Sequence, residues 1–172
     1  GWFSKNIEIP VQYDNLLELQ HDCAHELFHA IQNEYFYFSS MAVNRWWMEA
    51  AADYAAAGIV GTDKYPAIDE KYLQQSMGTI DGVHEYQSAR FIDYLVRHKT
   101  VDFMKLWKHT AGAGNTDMIV TIDNYLVKEA GTTFKECYRD FARHLIFSAD
   151  SPVKDGAAAK APYAMASQTE MP

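Results

Sequence analysis

Between Leu16 and Phe38 the chain reads LLELQHDCAHELFHAIQNEYFYF. Apolar positions Leu16, Leu19, Cys23, Leu27, Ala30, Ile31 and Tyr35 recur at steps of three and four, the period of an amphipathic helix, and Asp14 or Asn15 stands where an N-cap belongs. The stretch predicts one long helix. Inside it lies His25-Glu26-Leu27-Phe28-His29. A four-residue step places both imidazoles on one helix face, a single turn apart, so two ring nitrogens can meet one metal ion. Glu26 falls about 100° round the helix from His25. There its carboxylate can take a proton from water without itself ligating the metal. Ala24, Leu27, Ala30 and Ile31 are expected to bury one side of the helix and leave the ligand side facing a cleft.

Working outward, a second helix is read from Asn44 to Ala57, its Ala-rich second half favouring helix and Gly58 ending it. Small side chains there allow a close helix approach. Glu49 follows His29 with nineteen residues between them. A carboxylate on this neighbouring helix completes a His2Glu set, the three-ligand arrangement that leaves a fourth position open at catalytic zinc sites. Asp53 lies one turn beyond Glu49. A ligating imidazole needs its other ring N–H engaged to fix tautomer and direction, which Asp53 can do unless it is a solvated residue.

This HExxH with a helical Glu at nineteen residues resembles the gluzincin metallopeptidases, the clan of thermolysin-like enzymes and zinc aminopeptidases. The resemblance covers residues 15 to 147. It implies a mainly α, zincin-like fold, Zn²⁺ held by His25, His29 and Glu49, Glu26 as general base, Asp53 on His25, and a peptide or protein substrate. The segment Val83-His84-Glu85-Tyr86-Gln87-Ser88-Ala89 resembles the helix that carries the oxyanion-stabilising tyrosine in aminopeptidase-like and peptidase MA-like gluzincins. That role falls to Tyr86, with His84 as the rival donor because thermolysin-like enzymes use a histidine. The sequence departs from the aminopeptidase pattern: Ala50 stands where Gly is usual, and the Gly-x-Met-x-Asn stretch that recognises a free N-terminus is absent, which favours an endopeptidase. The upper β-sheet of the family is largely missing. The resemblance also implies an extracellular or cell-envelope location. The alternative from another class is a catalytically inactive peptidase-like domain that binds peptides or proteins. Retention of Glu26 argues against it, because a general base has a use only in chemistry.

The remainder of the 172 residues fits one helical domain over 1–148 and a tail or linker over 149–172, where Ala, Pro, Ser and Lys replace the periodic pattern. Residues 1–12 alternate loosely around Pro10 and suit a short extended strand. Further helices are expected over Pro66 to Met77, from Val83 to His98 with Asp81 as cap, and over Val101 to Thr110, Met118 to Glu129 and Thr133 to Phe147. Tyr35, Phe36, Tyr37 and Phe38, with Trp46 and Trp47, are read as core rather than a specificity pocket. A net charge of -8 repels a phosphate backbone, so nucleic acid is an improbable partner. No apolar run approaches the ~20 residues of a membrane span. Gly1 opens no charged and apolar leader pattern. Cys23 and Cys137 fit no metal-binding spacing and are read as two free thiols rather than a disulfide. Paired Glu-x-x-His motifs of a di-iron bundle are missing.

Overall fold

A computed structural model describes residues 15–36, 44–62, 65–114 and 116–147. Within them the fold is mainly helical, with no strand or sheet. The strand expected over residues 1–12, the tail over 149–172, and Tyr37 and Phe38 lie outside the described residues.

Helix α1 spans Leu16–Tyr35, and Asn15 is its cap: the Asn15 Oδ1 accepts the Glu18 N–H at 3.0 Å, occupying one of the donors that a helix start leaves free. Helix α2, Arg45–Val60, is its main neighbour. Trp46 through Asp53, Ala56 and Ala57 are all buried, so α2 is enclosed over most of its length. Ala50, Ala51 and Ala52 have no exposed surface, and their small side chains let flanking helices close in. Gly58 does not end α2. It sits inside the helix, which continues to Val60 and stops at Gly61, where φ is +71° and a side chain would be strained.

The burial of α1 overturns one expectation. Ala24 is buried as expected, but Leu27 and Ile31 are 53% and 41% exposed, and Ala30 is exposed too. The buried side is Ala24, His25, Phe28 and Gln32, the side on which a ligand role is expected for His25. The face that carries His25 is therefore pressed against α2, because the polar side chains there find partners across the helix pair.

The third helix is also shorter than expected. Of residues 66 to 77 only α3, Glu70–Leu73, is helical, capped by the Asp69 side chain on Tyr72 N–H at 2.9 Å. The N-cap position of the next helix is Val83, not Asp81 as expected, but Asp81 lies two residues before it and its Oδ1 accepts from the N–H groups of Val83 and His84 at 3.1 and 2.9 Å. The expected helix breaks at Ser88 into α4, His84–Gln87, and α5, Ala89–Lys99. Arg90 and Gln87 hold residues 65–67 in place, donating to the carbonyls of Tyr65, Pro66 and Ala67 at 2.6 to 2.7 Å. Helices α6, Phe103–Ala111, α7, Met118–Tyr125 with a π-helical turn over Leu126–Ala130, and α8, Phe134–Phe147, complete the core. Trp47 donates its indole N–H to Thr110 on α6 at 3.1 Å, and Trp46 and Phe36 are buried, as core residues should be. Tyr35 is 61% exposed and is not. Cys23 and Cys137 are both free thiols. No helix among the described residues is long and apolar enough to cross a membrane.

Candidate metal centre

The α1–α2 contact brings His25, His29 and Glu49 together. The Nε2 atoms of both histidines lie 3.1 Å from one and the same Glu49 oxygen, Oε2. One ligand atom from each of the three residues can be chosen so that all lie within 4.8 Å of one another. Ligands about 2.0 Å from one ion at the tetrahedral angle stand about 3.3 Å apart, close to the two histidine-to-Glu49 separations. The donor set of two imidazole nitrogens and one carboxylate oxygen suits zinc. The residues present therefore fit a divalent cation of that kind.

Each imidazole is held at its far nitrogen. Asp53, buried on α2 one turn past Glu49, places Oδ1 3.0 Å from His25 Nδ1. A carboxylate can only accept, so His25 donates from Nδ1 to Asp53 and, in the metal-free protein, from Nε2 to Glu49. The His29 Nδ1 lies 2.6 Å from Oε1 of Gln32, whose amide nitrogen donates to the Met48 carbonyl at 3.0 Å. The second bond fixes which end of the amide faces His29, so here too the ring donates from Nδ1. Neither Gln32 nor Arg45 was singled out from the sequence. Arg45 approaches the other Glu49 oxygen, with Nε 3.6 Å from Oε1. The signal for both lay in spacing: Gln32 is one turn past His29 and Arg45 one turn before Glu49.

Electrostatics follow from this packing. Burial alone would lower the His25 pKa, but hydrogen bonds to Asp53 and Glu49 and their negative charges carry it up to about 9. Burial would raise the Glu49 pKa, yet the two imidazoles hold its carboxyl well below the usual carboxylate range. In the metal-free protein a proton on His25 thus stands where a cation would otherwise balance Glu49.

A cleft of about 590 Å³ opens beside the cluster, with His25, Glu26, Asp53 and Tyr86 on its walls and Tyr65 and Pro66 opposite α1. Glu26 is partly exposed there, off the ligand cluster. The Tyr86 ring is 5.9 Å from that of His25. Burial, and then the charges of Glu49 and Glu85, push its phenol above the ordinary value, so it holds its proton. His84 is not brought to the cleft. Its ring is 1% exposed and stacks on Tyr72 at 4.3 Å, facing inward because α4 turns that side of the helix to the core. Compared with protein families, curated proteins and solved structures, the chain matches none.

Proposed function

We propose that this protein is a zinc-dependent peptide-bond hydrolase, an endopeptidase of gluzincin type. The observation that carries the reading is the convergence of His25, His29 and Glu49 beside a cleft that Glu26 and Tyr86 line. His25, His29 and Glu49 would hold the ion, which when bound supplies Lewis acidity, drawing charge from water and from a scissile carbonyl.

The chain's own groups do the proton chemistry. The Glu26 carboxylate takes one proton from water as the oxygen adds to the carbonyl carbon. It returns that proton to the amide nitrogen as the C–N bond breaks, so the base is regenerated and the products are a carboxylic acid and an amine. Tyr86, protonated across the neutral range, donates to the oxygen on which charge develops. Asp53 keeps His25 turned with Nε2 forward.

The test is Glu26→Gln. The variant is expected to bind zinc like the wild type and to lose turnover on a mixed peptide library, while a chelator abolishes wild-type cleavage. Normal cleavage by Glu26→Gln would remove Glu26 as the base. A wild-type protein that binds zinc and cleaves nothing in the library would favour a peptide-binding module.

A further inference from the structure

The two histidines of the cluster are steadied by different chemistry. His25 meets a carboxylate, Asp53, whereas His29 meets a neutral amide, Gln32, at 2.6 Å. Gln32 is 1% exposed and uses both ends of its amide: the oxygen faces the His29 ring, and the nitrogen donates to the carbonyl of Met48, the residue next to Glu49. One side chain thus bridges a ligand on α1 and the backbone that carries a ligand on α2.

We propose that Gln32 is the positioning residue that sets His29 for metal binding, and that the role requires an amide. This rests on the zinc reading given above. The requirement follows from the donor and acceptor inventory. His29 must give its Nδ1 proton away to leave Nε2 as the metal-binding nitrogen, so it needs an acceptor. The Met48 carbonyl accepts within α2 and has a second lone pair to offer, so it needs a donor. Among uncharged side chains of this length only Gln supplies both on one rigid plane. A carboxylate at position 32 would set two acceptors against each other in a buried place. Asn carries the same groups but is one methylene too short to span both partners. A neutral partner also leaves the charge balance favourable: Glu49 and Asp53 together match a divalent cation, and a further buried carboxylate would exceed it.

The experiment compares the wild type with Gln32→Met and Gln32→Glu, both close to the original in volume. Zinc affinity is read by chelator competition, coordination by the absorption spectrum of the cobalt(II)-substituted protein, and packing by thermal unfolding of the zinc-free forms. Both variants are expected to bind zinc about 10- to 100-fold more weakly, the range for loss of a group that orients a ligand, with an altered cobalt spectrum. A merely structural role would lower zinc-free stability and leave affinity and spectrum unmoved, and that result would overturn the proposal. Should Gln32→Met fail to fold, Gln32→Glu decides. Nitrogen-15 spectra of the zinc-loaded wild type give a check free of any variant: the proton of His29 is expected on Nδ1, and finding it on Nε2 would overturn the assignment. Peptide cleavage is not a readout here. A wild type that binds zinc without cleaving sinks the hydrolase reading alone, while undiminished zinc affinity in both variants sinks only the role of Gln32.

Discussion

At the scale of single residues, Tyr86 and His84 stood as rivals for the same task because both fall in the segment that resembles the oxyanion helix. Adjacent positions on a short helix point about 100° apart per residue, so two residues separated by one cannot share a direction. The structure turns Tyr86 to the cleft and His84 onto Tyr72. Tyr86→Phe is therefore expected to lower kcat by about 10²- to 10³-fold, the range for an oxyanion donor, with KM and zinc content little changed. His84→Met is expected to keep turnover near the wild-type value. Steady-state kinetics on one cleaved peptide checks both, and the opposite ranking would move the donor to His84. The candidate cluster was legible residue by residue, since His25, His29 and Glu49, and Asp53 beside them, announce themselves by spacing. Gln32 was not, because an amide three positions after a histidine is ordinary until Met48 is seen opposite it.

At the scale of elements, caps and periodicity placed α1, α2 and the C-terminal helices, while the inner face of α1 was misread. Pattern analysis takes the apolar stripe as the buried one. Here Leu16, Leu27 and Ile31 are exposed, and His25 and Gln32 are buried because their polar atoms are matched by Asp53, Glu49 and Met48. Glycine was misread too. Gly58 looked like a terminator but lies within the last turn of the helix, exposed, with open space around a would-be Cβ, whereas Gly61 holds the left-handed cap. Gly58→Ala is expected to stabilise the fold by about 0.5–1 kcal/mol. Gly61→Ala is expected to destabilise it by about 1–2 kcal/mol, because a side chain is strained at positive φ. Denaturant midpoints of the two variants, read against the wild type, should move in opposite directions.

For the whole molecule, the zinc reading proposed above links acidity and metal through the same cluster. In the zinc-free protein the raised His25 pKa contributes stability that is complete below its ordinary value of 6.5 and is lost as pH rises through about 9. The lowered Glu49 pKa contributes stability present above its ordinary 4.5 and lost as pH falls below it. As far as these two groups go, the zinc-free fold is most stable between about pH 4.5 and 6.5. On that reading zinc would displace the proton on His25, so its affinity is expected to rise about tenfold per pH unit up to about 9. The gap in Tm between zinc-loaded and chelated protein should therefore widen with pH over that range, as thermal unfolding at several pH values would register. A constant gap would mean that His25 carries no proton to displace.

Ala52, between Glu49 and Asp53 in sequence, has no exposed surface, so α2 has no slack there. A bulkier side chain there would act as a wedge against its packed neighbours, shifting the stretch of α2 that carries Glu49 and Asp53. If the cluster holds zinc as proposed, a change that touches no reacting atom would then surface as a loosened grip on the ion.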